Sequence, residues 1–179
     1  MKTFKYFYTL LLVVLLLPFP ACESTDDGSY VAPITVYEKI NGDWKITSLK
    51  QVDEIAKANS QSPSEMTLTG QFDFSTFSIS LDVDADKEPT TYKVGGSAPQ
   101  FFPSEGYWAL DYSFHNTDGS PNIINLFSDA AKTTAIGELY VTSIPGSNRT
   151  MELRFTRKSK GVAFVSYVYQ LSPLNESNE

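Results

Sequence analysis

The sequence predicts an all-β fold: an antiparallel up-and-down β-barrel of about eight or nine strands. Three observations predict it. From residue 42 onward the apolar residues recur with a period of two. Turn-forming residues separate these runs at short, even spacing. Only one segment, near Asp53–Asn59, has a helical character, and Pro63 ends it.

The elements follow in order. A first strand is expected over 43–52. Met66, Leu68, Phe72 and Phe74 alternate with Thr67, Thr69, Gln71 and Asp73, which predicts a strand over 65–74 with Asp73 facing solvent. Phe77, Ile79, Leu81 and Val83 alternate with Ser78, Ser80, Asp82 and Asp84, giving a strand over 76–84. Further strands are expected at 89–95, 106–115, 122–128, 135–144, 149–157 and 161–171. Lys87-Glu88-Pro89, Gly95-Gly96, Asp118-Gly119-Ser120-Pro121, Pro145-Gly146-Ser147-Asn148 and Lys158-Ser159-Lys160-Gly161 supply the turns. The last strand is apolar or aromatic on both faces, which suits a closing strand covered on both sides. Many meandering strands of this kind close into a barrel or stack as a sandwich.

The first 21 residues read as an export signal. Lys2 and Lys5 precede a continuous apolar run from Leu10 to Leu17. That run is short of the roughly 20 residues a membrane-spanning helix needs, and it fits a secretory signal. Phe19-Pro20-Ala21-Cys22 follows and resembles a bacterial lipobox, which makes Cys22 the expected site of lipid attachment. Several acyl chains on one residue would hold a protein at a membrane stably. Glu23-Ser24-Thr25-Asp26-Asp27 is similar to the surface-export signal of Bacteroidota lipoproteins, with Glu23, Asp26 and Asp27 as its acids. Residues 22–35 are therefore read as a lipidated linker, 36–172 as one folded domain and 173–179 as a disordered tail. The expected location is the outer membrane, lipid-anchored and facing the cell surface.

Composition excludes several functions. The chain has 179 residues and a formal charge of −7, and the leader's two lysines leave −9 for residues 22–179. An acidic domain without clustered cations is a poor binder of nucleic acid. With one cysteine and one histidine there is no intrachain disulfide and no zinc finger, and lipid attachment at Cys22 would leave no thiol for a Cys–His dyad. No cofactor is expected. His115 beside Asp111 is a candidate general base, but no nucleophile or oxyanion hole stands at a recognisable spacing. Asp111 is the carboxylate expected to be most buried. Asp82-x-Asp84-x-Asp86 has the alternation of a calcium loop, yet Lys87 and Lys93 occupy the positions where an EF-hand needs Gly and Glu.

Ile40-Asn41-Gly42-Asp43-Trp44 opens the first strand, and a Gly-x-Trp there resembles the first motif of lipocalins. The resemblance implies that Gly42 and Trp44 close one barrel end, with Arg154 or Arg157 packed across the indole. It also implies that the link from Asp53 to Ser64 lids a mouth. Over residues 36–172 the chain is more fully similar to lipocalin-like lipoproteins of the Bacteroidota, a family of unassigned function. The likeness rests on the Gly-x-Trp opening, Gln51-Val52-Asp53, Gly106-Tyr107-Trp108 and Pro121-Asn122-Ile123-Ile124, in that order.

Such a barrel can hold a ligand or fill with side chains. The leading expectation is a non-enzymatic protein that binds a small apolar or carbohydrate ligand in the barrel or at its mouth. The alternative is an accessory subunit with a filled barrel, docked on an outer-membrane nutrient-uptake or glycan-degrading complex. Phe101 and Phe102, in a Gly/Pro loop, are expected either to plug a barrel end or to line a ligand or partner site. Tyr107 and Trp108 are candidate sugar-stacking rings.

Overall fold

The computed structural model describes residues 31–175, so the expected leader, Cys22, Glu23, Asp26 and Asp27 lie outside the described residues. The chain forms helix α1 (Val36–Ile40), strand β1 (Gly42–Asp53), helix α2 (Glu54–Ala58), β2 (Glu65–Thr67) and a 3-10 turn at Phe74–Thr76. There follow β3 (Ser78–Val83), β4 (Pro89–Gly95), β5 (Glu105–Leu110), β6 (Asn122–Phe127), β7 (Ala135–Ser143), β8 (Met151–Ser159) and β9 (Val162–Pro173). Every pairing is antiparallel between neighbours, and β1 pairs with β9 to close the sheet. The result is an eight-stranded up-and-down barrel, with β2 as an extra strand on the outer half of β1.

Alternation decides what fills the barrel. Ile79 and Leu81 on β3, Ile124 and Leu126 on β6, and Leu139 on β7 all point inward with no exposed surface. Each such side chain contributes roughly 1.5–3 kcal/mol on burial. The long strand β1 needs a correction to keep its apolar residues inside. Its register shifts between Ile46 and Ser48, and this bulge lets Trp44, Ile46 and Leu49 all face the core. Larger rings complete the filling: Trp108, Tyr92 and Tyr169 are at most 2% exposed. The lumen is thus occupied by side chains.

The two ends are closed differently. At one end α1 lies across the mouth, started by a capping box in which Thr35 and Glu38 satisfy each other's backbone amides. Val36 and Ile40 of α1 are buried, and Trp44 donates its indole N–H to the Ile40 carbonyl at 2.8 Å. Gly42 has φ +119° with open space around it, so the backbone conformation rather than crowding requires glycine at the α1–β1 corner. At the other end Phe101 and Phe102, from the β4–β5 loop, insert as an aromatic plug. Phe101 stacks on Tyr167 with centroids 3.8 Å apart, and Phe102 sits edge-on to Tyr169 at 6.1 Å.

Helix α2 packs outside the barrel on β9. Asp53 caps it through Ile55 N and Ala56 N, and Ala56 buries with Val52 and Ser166 on the outer face. Only around Ser166 is the outer side of β9 fully covered.

Four sequence expectations need correction. The strand expected at 65–74 stops at Thr67. Phe72 and Asp73 both adopt positive φ, which breaks the run, and Phe72 is 69% exposed while Phe74 is buried. The strand expected at 106–115 stops at Leu110, because Asp111 takes two backbone amides on its side chain. Helix α1 was not expected, although Thr35-x-x-Glu38 carries its signal. The expected tail begins too early, because β9 runs to Pro173 and Leu174 N still donates to Asp43 O at 2.8 Å.

Candidate functional site: a cleft at the mouth of the barrel

Asp111 ends β5. Its carboxylate Oδ1 accepts the amides of Tyr112 at 2.9 Å and Ile123 at 2.8 Å. A side chain that bonds backbone donors in this way competes with the strand ladder and starts a loop. Asn122, buried at the start of β6, then holds the loop down: its Nδ2 donates to the Tyr112 and Phe114 carbonyls at 3.2 and 3.0 Å. Val36 N donates to Ser113 O at 2.8 Å, and Tyr37 Oη lies 2.5 Å from Ser113 Oγ, which ties the loop to α1. With its backbone fixed at these points, the loop turns Tyr112 and Phe114 outward, 65% and 50% exposed.

Beneath them lies an open cleft of about 760 Å³, bounded by this loop and by Ile123 and Tyr140 on the outer face of β6 and β7. Asp111, His115, Asn116 and Asp118 also border it. Asp118 Oδ1 accepts Ser120 N and Ser120 Oγ at 2.9 and 2.7 Å. These two donors hold its carboxyl below the ordinary carboxylate range, so it stays ionised at neutral pH. Asp111 and Asp118 each commit Oδ1 to the loop's own donors, and the second oxygen remains as an acceptor among the described residues. The cleft therefore offers exposed aromatic rings beside carboxylate and amide groups.

The residues singled out from sequence distribute as follows. Trp108 is fully buried and donates Nε1–H to Asp82 O at 2.9 Å, so it is core and not half of a stacking pair with the half-buried Tyr107. Phe101 and Phe102 form the plug rather than a ligand mouth. Arg154 does not cross Trp44. It alternates outward with the inward Leu153 and pairs with Glu54 of α2, while Arg157 lies 6.0 Å over Phe164. Burial alone would raise the Glu54 carboxyl, but donors from Ser166 and Arg154 outweigh it and the pKa is lowered. Asp111, expected to be buried, is exposed, because it caps a loop instead of sitting within a strand. His115 is exposed in the same loop.

Asp82, Asp84 and Asp86 are not convergent: Asp84 Oδ1 accepts Asp86 N and Glu88 N, and Asp82 Oδ2 accepts Thr91 Oγ1. Among the described residues no group of three or more His, Cys, Asp or Glu is arranged to hold a metal ion. Among the described residues, two buried side-chain polar atoms, Tyr92 Oη and Asn122 Oδ1, have no partner. Burial pushes the Tyr92 hydroxyl up to about 12.

A family model described as a domain of unknown function (DUF5004) matches residues 19–172. The chain belongs to the DUF5004 family. The match extends over the whole barrel and all nine strands up to Ser172. No curated protein and no solved structure matches the chain significantly. The DUF5004 fold is thus a closed antiparallel barrel in this chain, and its function has to be read from the site.

Proposed function

We propose that the chain is a lipid-anchored, non-enzymatic binding protein of the outer membrane, facing the cell surface, and that it holds a carbohydrate at the mouth of its barrel. The observation that carries this reading is the cleft beneath Tyr112 and Phe114. A concave site with apolar faces and a few fixed polar groups is the usual form of a small-molecule site. The filled lumen argues against an apolar ligand inside the barrel. The membrane anchor rests on the order of basic residues, apolar run and Cys22, and the surface location on Glu23, Asp26 and Asp27. The finer family reading, a lipocalin-like surface lipoprotein of the Bacteroidota, is supported by the Gly42-Asp43-Trp44 opening behind such a leader.

Calorimetric titration of the chain without its leader against a panel of neutral sugars tests the binding. Heat of binding to at least one sugar, lost in Tyr112→Ala at unchanged melting temperature, is the expected result. If no sugar binds, or Tyr112→Ala binds as well as wild type, the reading falls. The anchor is tested separately. Cys22→Ala should leave membranes for the soluble fraction, and Ala at both Asp26 and Asp27 should reduce protease access on intact cells.

A second reading is the accessory subunit of an outer-membrane nutrient-uptake or glycan-degrading complex. It is favoured by the filled barrel together with the exposed Ile55, Met66 and Phe72.

A further inference from the structure

The cleft at the mouth does not end at the loop. Pro121 and Tyr140 border it, and both also border a second concavity of about 340 Å³ on the barrel wall, reaching Thr142, Arg154, Thr156 and Lys158. Ile123, Tyr140 and Arg154 are successive cross-strand partners on β6, β7 and β8, so they form a continuous floor. Three neighbouring strands span roughly 10 Å across the sheet, and Arg154 to Lys158 adds about 13 Å along β8. The floor is therefore longer than one sugar ring.

We infer that the two concavities are one track for a neutral oligosaccharide, running from Tyr112 and Phe114 over Tyr140 to the outer face of β8. This rests on the carbohydrate reading above and names its ligand class. Charge selects the class. Arg154 is committed to Glu54, and Lys158 to Glu138 at 2.9 Å and to Tyr140 Oη at 3.0 Å. The wall thus presents paired charges and no cation left over for a polyanion. At the mouth Asp111 and Asp118 repel acidic sugars. Hydroxyls suit what remains. Thr142 Oγ1 already donates to Glu152 Oε1 at 2.7 Å, and Thr156 Oγ1 shares a bond with Ser166 Oγ at 2.9 Å. Each hydroxyl oxygen keeps lone-pair capacity for a donor from the ligand. Tyr140 is the pivot, since its ring sits between the mouth and the wall, with Lys158 Nζ 5.5 Å from its centroid.

The test titrates the chain without its leader against neutral glucan, mannan and xylan oligomers, from monosaccharide to hexasaccharide, and against oligogalacturonides of matched length. For at least one neutral series, affinity should rise about tenfold or more with length. Oligogalacturonides should bind more weakly than the neutral chain of the same length. Thr142→Val and, separately, Thr156→Val should flatten the length dependence while leaving monosaccharide binding in place, since both line only the wall concavity, with melting curves confirming that both fold. Affinity that is independent of length, or a length dependence that survives both substitutions, overturns the track but leaves the mouth site standing. Equal or tighter binding of the acidic series overturns the charge argument and the proposal with it. Absence of any sugar binding overturns the track together with the carbohydrate reading, and returns the face to a protein partner.

Discussion

The two ends of the barrel are closed by different physics. The plug end is closed by rings: Phe101 and Phe102 meet Tyr167, Tyr169, Phe77 and Phe155 at centroid distances of 3.8 to 6.4 Å. The α1 end buries Val36, Ile40 and Trp44 and is fastened by hydrogen bonds and one ion pair: Trp44 to Ile40, Val36 to Ser113, and Lys87 to Glu38. A plug of aromatic rings holds no carboxylate that acid could protonate and leaves little for a ligand to do. A lid of directional bonds positions its loops and can leave aromatic rings outside, as it does with Tyr112 and Phe114. The cleft sits at the hydrogen-bonded end for that reason.

The largest test of this contrast is truncation of each closure. Trp44→Ala and Phe102→Ala should each destabilise the fold by about 3–5 kcal/mol, as loss of a buried aromatic does. That is a large fraction of a typical domain's 5–15 kcal/mol, and it should appear as a fall in denaturation midpoint. The two variants should differ in where they loosen. Amide exchange should rise in residues 36–40 for Trp44→Ala, and in residues 96–104 for Phe102→Ala. Equal loosening of both ends by either variant would dissolve the comparison.

A smaller effect is expected from Asn122→Ala. It removes two bonds to the β5–β6 loop but also an unpartnered buried oxygen, so the loss should be about 1–2 kcal/mol. Its sharper readout is increased amide exchange in residues 112–116, and weaker sugar binding if the loop must be held in place.

Acid should open one end before the other. The hydrogen bond from Lys87, then that from the Thr35 amide, hold the Glu38 carboxyl at about 2 instead of 4.5. A depressed carboxylate stabilises the fold above its ordinary value and loses that contribution as pH falls toward its folded value. Between pH 4.5 and about 2, exchange in α1 should therefore rise, and Glu38→Gln should remove the dependence. The aromatic plug has no such group, and residues 96–104 should not follow.

The smallest stability effect belongs to the site. Tyr112→Ala should shift stability by no more than about 0.5 kcal/mol, because an exposed side chain has little burial to lose. A large loss would mean that Tyr112 holds the loop rather than serving a ligand.

Most of the barrel was legible because a strand with one wet face writes its orientation into the sequence every second residue. The runs at 77–83 and 151–155 needed nothing else. The reading failed where local turn chemistry overrode the alternation. Phe72 keeps the parity of Leu68 and Phe74 but sits at positive φ in a turn. Tyr112 and Phe114 keep the parity of Trp108 and Leu110, yet Asp111 takes two backbone amides and stops the strand before them. Helix α1 was short enough to hide from periodicity, and only its capping box announced it.

The sequence by itself determined an all-β chain of antiparallel strands in meander order, because inward and outward positions follow from local alternation, and the β1–β9 pairing then decided barrel against sandwich. It also marked Trp44, through the Gly-x-Trp resemblance, as a closing residue, and Trp108 as a candidate sugar-stacking ring that the structure places in the core. Only the tertiary structure decided that the lumen is full, since that depends on whether rings from β4, β5 and β9 meet across the interior. It likewise decided that Phe101 and Phe102 are a plug, and that Arg154 serves α2 and not Trp44. The cleft could not be read in advance. Its loop, its floor at Ile123 and Tyr140, and its wall at Thr156 and Lys158 come from segments that only strand pairing brings together.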